Sequence, residues 1–347
     1  MAQLHNRVDK RVLKKQLDSS ESQRTTVSFY QYAKIGNVNL FRDHFYLLLS
    51  KVDTFGRVYV AHEGVNAQVS VPTINMGVFR ELLDEITFLE GCRLNIAIED
   101  DGKSFYKLIV RKRNKIVADG IADESFDVTD NACHINAKEF NKLTEEQNTI
   151  VIDMRNHYES EVGHFKDAIC PDVTTFRESL PIVEDILEQH EEKNVIMYCT
   201  GGIRCEKATA YFKHKGFQNL YQLDGGIIEY ARQAKEQGIP NKFIGKNFVF
   251  DDRLGERISG EIIAKCHQCG APCDLHTNCA NDACHILFIQ CESCQEEYKS
   301  CCSKKCREFN TLSEAEKKEL RKTKKFNGSL FGKGRYKASK EGRLNTD

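Results

Sequence analysis

Apolar positions along the chain follow two rhythms. Residues 27–32 are rich in β-branched and aromatic side chains, which predicts a strand. Residues 40–49 repeat apolar side chains at helical spacing behind Asn39, which predicts a helix. Residues 57–61 and 67–71 read as two strands joined by the turn His62-Glu63-Gly64-Val65-Asn66. A second helix is expected over 76–86, and further strands over 94–98 and 105–110. The order β-α-β-β-α-β predicts a ferredoxin-like unit over residues 25–120. His62, Glu63 and Asn66 can line a substrate surface or simply close a polar hairpin.

The rhythm then changes. Residues 149–153 and 194–198 are short and nearly all apolar, as strands buried on both faces of a parallel sheet are. Helical stretches are expected over 175–188, 205–215 and 226–235. Alternating strand and helix predicts an α/β unit over residues 123–238. Sites in such sheets lie at the carboxyl ends of strands, which directs attention to Asp153-Met154-Arg155 and to the residues after Tyr198.

Composition narrows the class. The chain has 347 residues, enough for two or three domains, with 29% charged and 40% hydrophobic residues. That balance fits a folded protein, and no apolar run approaches the roughly 20 residues of a membrane span. No membrane association is expected. The basic, unapolar N-terminus lacks a secretory signal, so a cytoplasmic protein is expected. Net charge is -1, which excludes a uniformly basic nucleic-acid footprint. Fifteen cysteines are the outstanding feature. In a reducing compartment they imply metal ligation or thiol chemistry rather than disulfides.

One cysteine follows a predicted strand. The run Cys199-Thr200-Gly201-Gly202-Ile203-Arg204-Cys205 leads from strand to helix. Glycines permit a tight loop, its N–H groups point inward, and the helix end adds partial positive charge. The same field favours a nucleophilic thiolate at Cys199. The loop is Cys-x4-Arg, one residue shorter than the Cys-x5-Arg loop of cysteine phosphatases, and the smaller ring suits a single sulfur atom, a persulfide. The plain alternative is a buried cysteine in a Gly-rich turn. Cys205 can resolve an oxidised Cys199 or can be a small packing residue.

Ten cysteines crowd the stretch from Cys266 to Cys306, within a segment expected over residues 245–310. The pairs Cys266-x2-Cys269 and Cys291-x2-Cys294 have the shape of a zinc-knuckle set, two thiolates on each tight turn. With His267, His276 and His285 the block can supply two zinc sites, and a segment so poor in core residues needs metal or crosslinks to fold. An iron–sulfur cluster is the other candidate, although no cluster signature fits. The tail, residues 311–347, is rich in Lys and Arg interleaved with Phe326, Phe331 and Tyr336 and with Gly328, Gly332 and Gly334. That mixture suits phosphate contact and base stacking, or is a solvated tail.

The motifs taken together carry a resemblance. Asp153-Met154-Arg155, Glu159, Gly163-His164-Phe165, Cys199-x4-Arg204 and Gly225-Gly226 resemble a rhodanese domain. Ile169-Cys170-Pro171 stands where rhodaneses usually carry Ile-Pro, a departure confined to one turn. Over roughly residues 4–310 the chain resembles the oxygen-dependent tRNA uridine-34 hydroxylases, on residues 57–67, 153–158, 198–207 and the terminal cysteine block. The resemblance implies a ferredoxin-like domain, a rhodanese-like parallel-sheet domain and a Cys-rich C-terminal segment. It implies hydroxylation of carbon 5 of wobble uridine 34, giving 5-hydroxyuridine, with molecular oxygen as co-substrate and the tRNA anticodon arm as partner. It makes Cys199 the reactive thiol, as nucleophile, persulfide or sulfenate, and Arg204 the residue that closes its loop. Asp153, Arg155 and His164 match the rhodanese framework, where holding loops together is the alternative to reacting. No flavin, nicotinamide or P-loop signature occurs, so the sequence does not identify the reductant. Two rival functions remain: a persulfide sulfurtransferase acting on RNA or a small acceptor, and a zinc-stabilised RNA-binding scaffold with an inert rhodanese domain.

Overall fold

The structure is a computed structural model that describes residues 4, 6, 8–20, 22–121, 126–323, 326 and 336. Helix α1 (Lys10–Asp18) precedes β1 (Arg24–Tyr32), α2 (Val38–Lys51), β2 (Phe55–Ala61), β3 (Gly64–Pro72), α3 (Met76–Asp84), β4 (Asn95–Ile96) and β5 (Leu108–Lys112). These strands form one sheet in the order β4-β1-β3-β2-β5. The first four pair antiparallel in the ferredoxin-like order. β5 adds a fifth strand, parallel to β2, with Val110 opposite Val58.

Several local expectations shift. Asn37, not Asn39, caps α2, its side chain accepting from the Leu40 N–H. The five-residue turn contracts to His62-Glu63, because Gly64, Val65 and Asn66 already pair in β3. The strand expected over 94–98 contracts to two residues. The Thr26 carbonyl still accepts from the Ala97 N–H, but the Asp100 carboxylate takes the Thr26 N–H at 2.5 Å, which ends the ladder. The last strand starts at Leu108 rather than at residue 105.

Period-2 alternation gives this sheet two different faces. Val27, Phe29, Val58, Val60, Ala67 and Val69 point into a core shared with Phe45 and Leu49 of α2 and Phe79 and Leu83 of α3. The opposite face carries Ser28, Tyr30, Tyr59, Asn66 and Gln68, brought side by side by the register (Tyr30 and Tyr59 both opposite Asn66).

The central unit contains β6 (Cys133–Ile135), α4 (Ala137–Leu143), β7 (Thr149–Asp153), α5 (His157–Ser160), β8 (Gly163–Phe165), α6 (Phe176–Glu188), β9 (Asn194–Tyr198), α7 (Ile203–His214), β10 (Leu220–Leu223) and α8 (Gly226–Gln237). A parallel sheet runs β6-β10-β9-β7. One face packs on Phe176, Leu180 and Val183 of α6 and Ala208 and Phe212 of α7. The other packs on Phe140 of α4 and Ile227 and Tyr230 of α8. Burial on both faces explains why β7 and β9 are almost wholly apolar.

The chain continues through β11 (Phe243–Asn247), β12 (Glu256–Arg257), β13 (His276–Asn278), β14 (Leu287–Ile289), α9 (Glu292–Tyr298), α10 (Lys304–Asn310) and α11 (Glu314–Thr323). β11 pairs with β8 of the central unit and with β12. The cysteine block therefore hangs on a strand that is itself part of the central framework. Of the tail aromatics, Phe326 meets the Phe309 ring edge-on, and Tyr336 stacks between His267 and Phe288. Phe331, Gly328, Gly332 and Gly334 lie outside the described residues. Among the described residues no helix is long and apolar enough to cross a membrane.

Candidate active site

β9 ends at Tyr198, and α7 begins at Ile203. Cys199 sits between them, wholly buried at the carboxyl end of the strand. The loop closes on Gly202, whose φ of 102° favours glycine. A Cβ there would also lie 2.7 Å from the Tyr30 hydroxyl. At Gly226 a Cβ would meet the Cys199 carbonyl oxygen at 2.5 Å. The loop is thus held from both sides by backbone that admits no side chain.

The loop is built to carry a thiolate. Burial opposes ionisation of Cys199, but the Cys205 thiol donates to its sulfur, Arg204 adds positive charge, and the N–H groups of Arg204 and Gly202 point at it. The result brings the thiol down to about 6. Gly202 N stands 3.1 Å from Cys199 Sγ. Cys205 moves the opposite way: burial and its bond to Cys199 push its pKa well up, so it stays a protonated donor. Cys205 also packs in the buried cluster beside Ala208 and Phe212, as the packing reading expects.

Arg204 does not point its charge at open space. Its guanidinium grips Glu159 of α5 through two parallel bonds, Nη1 to Oε1 at 2.7 Å and Nη2 to Oε2 at 2.8 Å. Glu159 is fully buried, and Arg204 outweighs burial to hold its carboxyl below the usual range. Thr200 joins this pair, 3.4 Å from Arg204 Nη2. Glu159 is therefore part of the loop's support, a role visible in the sequence only as its place in the rhodanese-like motif.

Asp153 and Arg155 lie deeper. Arg155 donates to both Asp153 oxygens and to the Gly163 carbonyl, and Tyr198 donates to Asp153 Oδ2 at 2.7 Å. Both charges are fully buried. The pair ties β7 to β8 and β9, below the thiolate loop. His164 lies in β8, its Nδ1 beside the Phe165 carbonyl at 2.9 Å. None of the three lines the cleft on which Cys199 opens.

That cleft has a volume of about 670 Å³. Its floor is the Cys199 loop, one wall is the polar face of the first sheet, and the other comes from residues 249–256. Tyr30, Tyr59 and Phe250 supply aromatic surface and Arg57 supplies positive charge, whereas Arg253 is engaged by Asp251 and Glu256. Glu256, at the far wall, is fully buried, and burial raises its pKa despite the Arg253 contact. Direct bonds lock the wall onto the loop. Tyr30 donates to Glu206 at 3.0 Å, Tyr32 donates to the Ile203 carbonyl at 3.3 Å, and Asn95 donates to the Gly201 carbonyl at 3.3 Å.

The hairpin residues divide their roles. Asn66 lines the cleft. His62 holds the Ile35 carbonyl at 2.9 Å. Glu63 takes the Ile116 N–H at 2.7 Å and the Lys207 ammonium at 2.6 Å. Lys207 is fully buried and also faces Asp119 at 3.4 Å. With Lys115, which pairs with Asp119 at 2.5 Å, this four-charge cluster joins the first sheet to α7. No local sequence signal marks it, because its members come from stretches far apart in the chain.

The cysteine block gathers into two four-thiol groups. Cys266, Cys269, Cys291 and Cys294 converge with all sulfurs within 4.8 Å of one another, and so do Cys279, Cys284, Cys302 and Cys306. Sulfur separations of 3.6 Å (Cys269 to Cys291) and 3.7 Å (Cys284 to Cys302) match an edge of a tetrahedron with metal–sulfur bonds of about 2.3 Å. Backbone N–H groups of Cys291 and Cys302 point at Cys266 and Cys279 sulfurs at 3.4 Å. The donor sets fit a tetrahedral thiophilic metal. His267, His276 and His285 belong to neither group. His267 instead meets Glu161 at 2.8 Å.

Comparison with known proteins matches three family profiles. They are the UPF0176 acylphosphatase like domain over residues 24–116, the Rhodanese-like domain over 136–233 and the Rhodanase C-terminal domain over 244–307. The chain is 50% identical over 338 residues to the tRNA uridine(34) hydroxylase of Photorhabdus laumondii, covering 97% of this chain and 96% of that one. The tRNA uridine(34) hydroxylase of Escherichia coli O1:K1 is 51% identical, covering 100% of this chain and 97% of the relative. That of Escherichia coli strain SE11 is 55% identical over 307 residues, 88% of each chain.

Proposed function

The chain belongs to the tRNA uridine(34) hydroxylase family, and on that premise we propose that it hydroxylates carbon 5 of wobble uridine 34 with Cys199 as the reacting thiol. The supporting observation is a thiol tuned to about 6 at the floor of a cleft that carries aromatic and polar side chains. Uridine 34 lies in a single-stranded loop, so the base can turn outward without melting a duplex. Tyr30 and Tyr59 offer faces for stacking, and Arg57 offers a partner for phosphate.

The chemistry follows from the thiolate. Cys199 sulfur bonds to carbon 6, and the carbon 5–carbon 6 π pair moves toward carbon 5 and the carbon 4 oxygen as an enolate. Carbon 5 then bonds to one atom of molecular oxygen. The second atom leaves as water, taking two electrons and two protons from an external reductant. Loss of the carbon 5 proton and of the sulfur restores the double bond and the free thiolate. Cys205 holds the sulfur anionic before attack and receives no proton itself. The two four-cysteine groups would hold zinc in a structural role, because each set closes the coordination sphere with four sulfurs. Metal analysis of the purified chain is expected to return two zinc ions.

Exact-mass nucleoside analysis of tRNA treated in air and without oxygen, with wild type and Cys199→Ser, tests the reading. Hydroxyuridine only from wild type in air is the expected result. Thiouridine instead would replace the hydroxylase with a sulfurtransferase.

A further inference from the structure

Among the described residues that line the cleft, three side-chain oxygens have no hydrogen-bond partner, on Asn95, Asn156 and Glu256, and that of Asn95 belongs to a residue bonded to the Cys199 loop. Asn95 is only 4% exposed, and its side-chain oxygen makes no hydrogen bond. The amide nitrogen is committed to the Gly201 carbonyl at 3.3 Å, within the Cys199 loop. Reversing the amide would set two carbonyl oxygens against each other, so the oxygen is the end left over. Buried amides in folded proteins are ordinarily satisfied, and an exception beside a reactive group calls for a ligand.

The position is specific. Asn95 stands opposite Ser28 across the β4–β1 pairing, on the polar face of the first sheet. A Cβ at Gly201 would come within 3.2 Å of its nitrogen, so the glycine makes room for the amide. The residue therefore touches both the loop that carries the thiolate and the cleft that receives the base.

We propose that Asn95 reads the Watson–Crick edge of the base in the cleft, its side-chain oxygen accepting the N3–H of uracil. The proposal rests on the hydroxylase reading and deepens it by naming a specificity residue. Uracil and cytosine share size and shape. They differ at N3, a donor in uracil and an acceptor in neutral cytosine. An acceptor oriented by the bond of its own nitrogen to Gly201 rejects cytosine by leaving two acceptors face to face. The amide shifts slightly to meet the base, a motion its long bond to Gly201 permits. No proton or electron moves in this step. Asn95 is a recognition residue and takes no part in bond making.

The test is a chemical double-mutant cycle. Wild type and Asn95→Ala are assayed for kcat/KM on anticodon-arm RNA carrying uridine or N3-methyluridine at position 34. Methylation removes the donor that Asn95 accepts. Wild type is expected to lose about tenfold to a hundredfold on the methylated substrate. Asn95→Ala is expected to lose a similar factor on uridine and less than about threefold more on methylation. Equal penalties in wild type and variant would overturn the proposal, as would full activity of wild type on N3-methyluridine. The wild-type comparison stands even if the alanine variant folds poorly. Asn95→Ser, which keeps a shorter acceptor, is expected to recover part of the discrimination. No hydroxyuridine from wild type on unmodified RNA would overturn the hydroxylase reading and this inference together. Product from uridine with additive penalties would overturn this inference alone.

Discussion

The acidity of Cys199 depends on a neighbour six positions along the chain, and removing that neighbour isolates its contribution. Cys205 is the first of the groups that lower the thiol, ahead of Arg204 and the loop N–H groups. A hydrogen bond to a charged acceptor is worth about 1.5–3 kcal/mol, or roughly one to two pK units. Cys205→Ala is therefore expected to move Cys199 from about 6 to roughly 7–8. At pH 7 the thiolate fraction falls from about nine in ten to between roughly one in two and one in ten. Alkylation by iodoacetamide, followed by mass spectrometry of the peptide containing Cys199, reads this midpoint despite the fourteen other cysteines. Cys205→Ser keeps a donor and is expected to stay near the wild-type midpoint. The sign is fixed. Below the midpoint Cys199 is a neutral thiol, so the acid limb of activity lies near pH 6 in wild type and moves upward in the alanine variant. An unchanged midpoint in Cys205→Ala would refute the reasoning.

Other consequences follow from buried charge and from metal. Glu159→Ala leaves the Arg204 guanidinium buried without its carboxylate, and is expected to cost about 3–5 kcal/mol in chemical denaturation. Lys207→Met strands Glu63 at the contact between the first sheet and α7, while Asp119 keeps Lys115; hydrogen exchange is expected to rise in the β2–β3 hairpin while β7 and β9 stay protected. Gly202→Ala places a Cβ against the Tyr30 hydroxyl at positive φ and is expected to abolish turnover, with Tyr30→Ala restoring little because the backbone strain remains. Stripping metal with a strong chelator is expected to expose residues 266–306 to proteolysis before the parallel sheet unfolds; protection unchanged after complete metal loss would remove the structural role for zinc.

Some features needed no neighbours to be read. The strands 149–153 and 194–198 were legible to the residue, because a strand covered on both faces must be apolar throughout. The cysteine at the end of one of them, the glycines after it and the helix that follows lie consecutively in the chain. Their chemistry is local, so the pattern of residue types carries it. The pairs 266/269 and 291/294 were legible for the same reason, since a tight turn sets two thiols together. The second group was not, because Cys279, Cys284, Cys302 and Cys306 lack the paired spacing and meet only after α9 and α10 fold back.

Short strands marked the other limit. β6, β8 and β10 have three or four residues each, too few to show a rhythm, and exist because neighbouring strands complete their hydrogen bonds. The sequence by itself determined the two kinds of sheet, the thiolate loop and the thiol-rich block, since each rests on periodicity or on residues adjacent in the chain. Only the tertiary structure decided what faces Cys199. Tyr30, Asn95 and Glu256 come from three distant stretches, and they meet because the polar face of the first sheet closes over the loop. Local pattern can show that such a face exists. It cannot show which surface that face covers, because the answer is set by packing between elements that the chain itself keeps far apart.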